Sequence, residues 1–120
     1  MQDKHGRDVT VRHDSDSRRY LISYPGTAPG ESVGLTDYQD RDGAEGPERI
    51  FFHTEVDEDH GGRGLASLLI GEAVTDTADA GRRIVPVCPF VKSHLEKQEP
   101  GPAWRSPTPD ETAEFNEEEK

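Results

Sequence analysis

The hydrophobic residues follow two different periods along this chain. Before residue 57, strand-forming residues occur in four short segments, each bounded by polar, glycine or proline residues. These segments are Val9–Val11, Arg19–Tyr24, Ser32–Gln39 and Arg49–Val56. The first two flank the sequence HDSDS and predict a hairpin, and the charged segment Asp40–Glu48 predicts a turn. The first half is therefore expected to be an antiparallel meander, with a possible bulge at Gly34.

After residue 64 the period changes to that of a helix, predicted over Leu65–Ala80. Apolar and small residues recur every three or four residues, at Ala66, Leu69, Ile70, Ala73, Val74, Thr77 and Ala80. Gly81 is suited to end this helix, and Ile84–Cys88 has the composition of a short strand. A strand, a helix and a second strand predict a parallel pair with a right-handed connection. Pro86 lacks the N–H that a ladder needs, so it is expected at an edge or where two strands separate.

The two ends of the chain are more polar than its centre. Residues 1–8 are predicted to fray, whereas Phe90–Gln98 is predicted to form a short helix. The sequence that follows is rich in proline and acidic residues and predicts a loosely ordered extension. Trp104 is the exception, because a single large aromatic residue is expected to dock, either on the core or on a partner. We therefore predict one domain over residues 1–98 and an extension over residues 99–120.

Composition restricts the classes of function. Hydrophobic residues make up 30% of the 120 residues, and 25 acidic against 14 basic residues give a net charge of −11. This charge argues against a nucleic-acid partner, which requires a basic face. No apolar run approaches the roughly 18 residues of a membrane span, and the N-terminus lacks an apolar signal, so a cytoplasmic protein without a membrane partner is expected. The single cysteine excludes an internal disulfide. The chain also lacks a C-x-x-C pair, the pattern that would suggest a metal site.

The most informative segment for function is the turn GGRGLA, Gly61–Ala66, between the fourth strand and the helix. Its three glycines allow tight bending and close approach to a ligand, and the first peptide N–H groups of a helix favour an anion. Arg63 adds positive charge, so a phosphate group fits this turn. The turn lacks the lysine of a Walker loop and does not spell the dinucleotide motif G-x-G-x-x-G. Taken alone, it is equally consistent with a strand-to-helix turn that needs glycine only for geometry.

With its flanks, the turn resembles the acetyl-CoA signature Q/R-x-x-G-x-G/A of the GNAT superfamily of N-acetyltransferases. The sequences HTEV (residues 53–56) and VPVCPFV (residues 85–91) are similar to a small single-domain branch of that superfamily. The resemblance implies an α/β (α+β) fold: a mixed, mostly antiparallel sheet with a splayed pair of parallel strands and helices packed on it. It also implies acetyl-CoA as cosubstrate, bound by Val56, Gly61, Gly62, Arg63, Gly64, Leu65 and Ala66.

The resemblance further implies acetyl transfer to an amine by direct attack in a ternary complex. The acidic composition favours a cationic acceptor, either a small amine or a protein amino group. Glu55 and His53 are two residues apart, hence on one face of their strand, and are candidates for the general base. Cys88 is a candidate residue near the thioester or, alternatively, a small core residue. His94 is a candidate acid for the thiolate or, alternatively, an exposed helix residue. Backbone N–H groups near Val56 are the implied oxyanion donors.

Two departures from the family pattern keep other functions open. Gly61 stands where the signature has Gln or Arg, and His94 stands where the family has tyrosine. Both departures favour a non-catalytic module that binds CoA or acyl-CoA. A third candidate is a protein-interaction domain on the same fold, in which the segment around Trp104 contacts the partner. The sequence leaves the acceptor, the physiological acyl group and the oligomeric state open.

Overall fold

The computed structural model describes residues 2–26, 32–43, 46–57, 64–97, 101 and 103–118, with side chains up to residue 115. Within these ranges the chain forms five strands and three helices. The strands are β1 (Thr10–Asp14), β2 (Arg19–Ser23), β3 (Gly34–Gly43), β4 (Gly46–Val56) and β5 (Arg83–Pro86). The helices are α1 (Leu65–Asp79), α2 (Pro89–Glu96) and α3 (Pro109–Glu118).

The strands form one sheet in the order β1-β2-β3-β4-β5. The first four pair antiparallel with their sequence neighbours, and β5 lies parallel to β4. α1 makes the connection between the two parallel strands, as the change of hydrophobic period predicts. The predicted α/β (α+β) fold, with a mostly antiparallel sheet and a parallel pair, is confirmed. Most element boundaries differ from the predicted ones by a few residues.

α1 packs on one face of the sheet through a stripe of buried residues. These are Leu65, Leu69, Ile70, Ala73, Val74 and Thr77. Of the predicted stripe, Ala66 is half-buried and Ala80 is exposed. The helix ends as predicted, because Gly81 has a φ of 75° and its N–H donates to the carbonyl of Ala78. The stripe forms the main core with side chains from β2, β3, β4 and α2, among them Tyr20, Ile22, Tyr38, Phe51 and Val91.

The charged segment Asp40–Glu48 is mostly strand, so the prediction of a long turn is wrong. In the β3–β4 register, Asp40 lies opposite Arg49, and Arg41 lies opposite Glu48. Arg49 donates to both carboxylate oxygens of Asp40, at 2.7 and 3.1 Å. Opposite charges that face each other across two strands stabilise their pairing. The charges that predicted a turn are therefore part of the ladder.

Residues 2–8 form a turn that is anchored by the buried Asp3 and is not frayed, which corrects the prediction for this end. The carboxylate of Asp3 accepts hydrogen bonds from the backbone N–H groups of His5 and Arg7, at 2.8 and 3.0 Å, and from the hydroxyl of Tyr24. The guanidinium of Arg7 lies 4.6 Å from the centre of the Tyr24 ring. We call residues 2–8 the N-terminal turn. The sequence did not indicate it because Asp3 and Tyr24 are 21 residues apart.

The C-terminal segment packs on both faces of the sheet, so a loosely ordered extension is wrong for its described part. Ile84 donates to the carbonyl of Ala103 at 3.1 Å and accepts from the N–H of Arg105 at 3.0 Å, which places the segment beside β5. Trp104 packs on the main core, which is one of the two predicted alternatives. α3 then brings Phe115, which is fully buried, to the opposite face of the sheet. The division of the chain at residue 98 stays a prediction.

Phe115 belongs to a second, smaller core. This core consists of Ile50, Val85 and Phe115, with Phe52 and Val87 packed against it. The rings of Phe52 and Phe115 stack with centroids 5.0 Å apart. Arg105 holds the segment in place because its guanidinium binds the carboxylates of both Glu48 and Glu111. One phenylalanine in an acidic helix carries little periodic signal, so the sequence did not indicate α3.

None of the helices in the described ranges is long and apolar enough to cross a membrane.

Candidate active site

β4 and β5 separate part of the way along β4. Their parallel register ends where Phe51 lies opposite Pro86. The N–H groups of Val87 and Cys88 both donate to the carbonyl of Phe51, at 3.0 and 2.9 Å. β4 then continues beside β3 to Val56, while the chain beyond β5 turns into α2. Pro86 lies where the strands part, as predicted. We call the opening beside the end of β4 the splay.

A β-bulge lies in β4 at the start of the splay. Asp37 of β3 lies opposite His53 and Tyr38 lies opposite Phe51, so Phe52 is left without a register partner. Bulges disrupt the ladder locally and redirect side chains. The side chain of Phe52 joins the second core, and the strand after it carries the predicted catalytic residues. The bulge therefore sets the direction in which His53 and its neighbours project.

Gly34 serves close packing, so the prediction of a bulge at this residue is wrong. It is in register with Ile22 on one side and Val56 on the other. A Cβ at this position would lie 3.0 Å from Cγ2 of Ile22 and 3.1 Å from the carbonyl oxygen of Glu55. The absence of a side chain lets β3 approach the end of β4 closely. Gly34 thus supports the strand end that borders the splay.

His53 and Glu55 form a pair on one face of β4. Nε2 of His53 lies 3.0 Å from Oε1 of Glu55, as expected for residues two apart on a strand. The Glu55 side chain is 64% exposed and that of His53 is 32% exposed. An open depression of about 190 Å³ lies beside Glu55 and is also lined by Ser32 and Asp57. A carboxylate and an imidazole in this setting can accept a proton from a bound amine, directly or through water.

Cys88 lies on the opposite face of β4 and belongs to the main core. It is 4% exposed, and its thiol donates to Oγ1 of Thr54 at 3.2 Å. Oγ1 of Thr54 lies 3.0 Å from Oγ1 of Thr36, which donates to the carbonyl of His53 at 3.3 Å. These groups can form one directed chain of hydrogen bonds, from thiol to hydroxyl to hydroxyl to carbonyl. The structure therefore brings Cys88 to the splay but separates it from the His53–Glu55 pair by the thickness of the strand.

His94 lies in the last turn of α2 and faces α1. Its Nε2 is buried and has no hydrogen-bond partner in the part of the chain that the structure describes. A Cβ on Gly71 of α1 would lie 3.6 Å from Cε1 of this ring. Burial, followed by the charge of Lys97, lowers the pKa of His94 and so favours the neutral ring. His94 lies roughly 9 Å along the helix axis from Cys88, which does not favour its predicted role as the acid at the thiolate. That role stays a prediction.

His94 also lines a cleft between α1 and α2. This helix cleft has a volume of about 140 Å³ and is lined by Ala66, Ser67, Ile70, Phe90, Ser93, His94 and Lys97. Ala66 and Ser67 belong to the first turn of α1, and Phe90 is a large apolar side chain that is 60% exposed. The helix cleft therefore begins at the end of α1 for which the sequence predicts an anion, and it offers both an aromatic surface and polar groups.

α1 begins at Gly64 in a left-handed conformation. This residue has φ 74° and ψ 16°, and no side chain caps the helix. The N–H groups of Leu65, Ala66 and Ser67 have no partner within the helix, because the first four N–H groups of any α-helix lack one. The first turn carries no acidic residue. This end of α1 is therefore electrostatically suited to an anion.

The residues implied to bind acetyl-CoA are partly outside the described ranges. Those outside are Gly61, Gly62 and Arg63. Among the others, Val56 ends β4, Leu65 is anchored in the main core, and Ala66 lines the helix cleft. Their contacts with a cosubstrate stay predictions. No group of three or more His, Cys, Asp and Glu side chains suited to a metal ion occurs among the residues that the structure describes.

A network of aromatic and charged side chains at the other end of α1 was not indicated by the sequence. Nη1 of Arg49 donates to the hydroxyl of Tyr20 at 2.6 Å, and that hydroxyl donates to Asp76 at 2.6 Å. The ring of His13 stacks on Tyr20 with centroids 4.3 Å apart. Burial, followed by the hydrogen bond to Asp76, raises the pKa of Tyr20. We assign this network a structural role, since its polar groups satisfy one another.

Residues 19–102, more than half of the chain, match the family model of the GCN5-related N-acetyl-transferases. The chain belongs to this family, which is the superfamily abbreviated GNAT that the sequence resembles. Family membership supports acetyl transfer as the general chemistry of the site. A search of curated protein sequences finds no match.

Several solved structures are similar to this chain, among them the following two. An integron cassette protein from the mobile metagenome of Cole Harbour Salt Marsh shares 22% identity over 76% of this chain, with a TM-score of 0.52. The chain spans 59% of the length of that protein. The ribosomal-protein-alanine N-acetyltransferase of Brucella melitensis biovar Abortus 2308 shares 14% identity, covering 92% of this chain and 88% of that chain, with a TM-score of 0.47. At 22% identity, the likeness to the integron cassette protein shows the fold alone.

Proposed function

We propose that the protein transfers an acetyl group from acetyl-CoA to a cationic amine in a ternary complex at the splay. The observation that carries this proposal is the arrangement around the end of β4. The His53–Glu55 pair lies on one face of that strand, and the thiol of Cys88 lies on the other. The opening between the two parallel strands connects the two faces of the sheet. A thioester on the face that α1 covers could therefore reach an acceptor on the opposite face, where Glu55 lies. Family membership supports acetyl transfer in general.

The described groups at the start of α1 fit the phosphate-bearing part of acetyl-CoA. The N–H groups that follow Gly64 have no partner within the helix, and the first turn carries no carboxylate. His94 lines the adjoining helix cleft, and its buried Nε2, which faces Gly71 of α1, has no partner among the described residues. A buried polar atom without a partner is costly unless a ligand or water satisfies it. We therefore place the phosphates of acetyl-CoA at residues 64–67 and the adjoining part of the molecule in the helix cleft.

The reaction that we propose is direct attack of the amine on the acetyl group. Glu55, together with His53, takes a proton from the acceptor ammonium and so frees the lone pair of its nitrogen. Acetyl-CoA supplies the acetyl group and leaves as the CoA thiol once the C–N bond has formed, the C–S bond has broken and sulfur has gained a proton. Backbone N–H groups near Val56 donate to the carbonyl oxygen as it gains negative charge. Overall, an ammonium and a thioester give an amide, a thiol and one released proton.

We propose a cationic acceptor because the open side of β4 is acidic. Glu55 is exposed beside the depression that Asp57 and Ser32 also line. The net charge of the chain, −11, attracts cations to its surface. α3 covers a neighbouring part of the same face through Phe115, so the acceptor approaches from the side of Glu55. Small polyamine-like molecules and protein amino groups both meet these requirements.

The first experiment is isothermal titration of the purified protein with acetyl-CoA and with CoA, followed by mass spectrometry of a pool of polyamines and lysine peptides. We expect binding and acetylated product. Replacement of the base in Glu55→Gln should lower kcat/KM about 100-fold and leave the Kd of acetyl-CoA unchanged. Glu72→Gln, at an exposed carboxylate of α1, is the matched control and should behave as wild type. If acetyl-CoA fails to bind, the cosubstrate assignment is wrong.

A non-catalytic module that binds CoA or acyl-CoA is the second candidate. Gly61 in the signature and the orientation of His94 toward α1 favour it. Binding of acetyl-CoA without any acetylated amine and without release of CoA thiol would support this candidate over the enzyme. A protein-interaction domain that uses Trp104 is not favoured, because Trp104 packs on the main core.

A further inference from the structure

The N-terminal turn places a lysine against the first residue of α1. A Cβ added to Gly64 would lie 3.1 Å from both Cγ and Cε of Lys4, and 3.5 Å from its Cδ. The methylene stem of Lys4 therefore crosses directly over this glycine, and its ammonium lies one bond beyond Cε. A lysine stem on an apolar surface with its charged end in water is a common arrangement. Here the charged end lies next to the start of a helix.

The contacts of the N-terminal turn hold Lys4 in this place. Asp3, its neighbour, is 6% exposed and accepts the hydroxyl hydrogen bond of Tyr24. The turn is closed by hydrogen bonds from the N–H of Asp3 to the carbonyl of Arg7, at 2.9 Å, and from the N–H of Gly6 to the carbonyl of Asp3, at 3.1 Å. A lysine on a fixed turn loses less freedom when it binds a ligand than one on a frayed end. Lys4 is thus preorganised beside α1.

Two further observations favour a ligand at this end of α1. His94 lines a cleft that starts at the first turn, and its buried Nε2 has no partner among the described residues. The GNAT signature, in addition, has Gln or Arg where this chain has Gly61. A side chain that would contribute to phosphate binding is therefore missing from the turn itself. Lys4 lies before the segment that matches the family model, residues 19–102, so the family pattern does not include it.

We propose that Lys4 binds the phosphate groups of acetyl-CoA and supplies positive charge that the family draws from the first position of its signature. The inference rests on the proposed function, because it concerns the same cosubstrate. An ammonium at a helix N-terminus adds a charge-assisted hydrogen bond to the bonds from the backbone N–H groups. A chain with a net charge of −11 gains from such a local cation, because its overall field repels a polyphosphate.

The test is the Kd of acetyl-CoA, measured by isothermal titration on the full chain. Lys4→Met keeps the stem over Gly64 and removes the charge, whereas Lys4→Arg keeps the charge. Lys92→Met, at an exposed lysine of α2, is the matched control with the same change in net charge. We expect Lys4→Met to weaken binding about five- to tenfold, and Lys4→Arg and Lys92→Met to stay within about twofold of wild type. Raising NaCl from about 50 to about 400 mM should reduce the difference in Kd between wild type and Lys4→Met, because salt screens the charge of the ammonium.

Each other outcome overturns the inference in a recognisable way. If Lys4→Met binds as wild type does, Lys4 does not contact the phosphates, and the proposed function still stands. If Lys4→Arg binds acetyl-CoA as weakly as Lys4→Met, positive charge at this position is not what supports binding. If wild type itself does not bind acetyl-CoA, both the inference and the proposed function are wrong. Thermal unfolding of the three variants checks that none has lost the fold.

Discussion

The two halves of β4 use the same strand in opposite ways. In the closed half, Gly46–Phe51, the strand is flanked by β3 and later by β5, and its polar side chains are buried. In the open half, Phe52–Val56, β5 has left the strand, the ladder with β3 begins with a bulge, and the side chains are half-buried or exposed. A strand anchored at one end can therefore leave backbone groups and side chains at its other end for a ligand.

Burial explains why the charged groups of the two halves differ in their contacts. In the closed half, Glu48 and Arg49 are 4% and 5% exposed, and each has charged partners at hydrogen-bond distance. A buried charge without a partner is costly, so these groups are tied to the fold. In the open half, Glu55 is 64% exposed and its contact with His53 remains open to water. The closed half accordingly contributes stability, and the open half is the part available for chemistry.

The largest expected effect separates the halves through stability. Arg49→Met removes the guanidinium that binds Asp40 and Tyr20, and should lower the free energy of unfolding by about 3 kcal/mol, because charge-assisted hydrogen bonds to the Asp40 carboxylate and the Tyr20 hydroxyl are lost. Urea unfolding measures this loss. Arg12→Met, at an exposed residue of β1, should change stability by less than about 0.5 kcal/mol. If Arg49→Met is folded but binds acetyl-CoA more weakly than wild type, the closed half also controls the ligand site.

The second prediction compares two glycines with the same backbone conformation. Gly64 has φ 74° and Gly81 has φ 75°, so Ala at either position should cost about 1 to 2 kcal/mol of stability. Only Gly64→Ala should also weaken acetyl-CoA binding, about tenfold (about 1.4 kcal/mol), because its Cβ would push against Lys4 beside the expected phosphates. A Cβ on Gly81 meets nothing within 4 Å. Equal affinities of the two variants for acetyl-CoA would show that the start of α1 does not belong to the cosubstrate site.

The third prediction concerns Cys88, at the border between the halves. Cys88→Ala removes the hydrogen bond to Thr54 and should cost about 1 kcal/mol of stability. Cys88→Ser keeps a donor at this position and is the matched control. Direct attack by the amine requires no acetylated cysteine, so Cys88→Ala should retain acetyl transfer within about tenfold of wild type. Loss of all transfer with intact acetyl-CoA binding would instead indicate a covalent intermediate on the thiol.

The smallest expected effect is a pH dependence in the C-terminal segment, whose Arg105 binds Glu48 of the closed half. The guanidinium of Arg105 lowers the pKa of Glu111 to about 2, from 4.5 in the unfolded chain. A carboxyl with a depressed pKa stabilises the fold above its unfolded pKa, and this contribution is lost as the pH falls from 4.5 toward 2. Glu111→Gln should therefore be less stable than wild type near neutral pH, by less than about 1 kcal/mol, and the difference should shrink in acid.

The difference in stability between wild type and Glu111→Gln can be measured from the fluorescence of Trp104. This residue is the only tryptophan in the chain and lies next to Arg105. Glu114→Gln, which removes the exposed ion pair with Arg41, is the control and should differ little from wild type. A Glu111→Gln variant with an unchanged pH profile would show that the contact between Arg105 and Glu111 does not stabilise the C-terminal segment.

The sequence by itself determined the features that depend on neighbouring residues. The helical period of α1, its end at Gly81, the parallel strand after it and the placement of His53 and Glu55 on one face all follow from periods of 3.6 and two residues. The site residues at the splay were named on the same basis, together with the family resemblance. Their catalytic and binding roles stay predictions.

Only the tertiary structure decided the features that join distant parts of the chain. Asp3 meets Tyr24 across 21 residues, and Arg105 meets Glu48 across 57 residues. No local pattern indicates such pairs, because each charged residue looks like a solvated surface group until its partner is placed beside it. For that reason the sequence predicted frayed ends where the structure has the N-terminal turn and α3. It also did not indicate that Lys4, from one of those ends, lies against the start of α1.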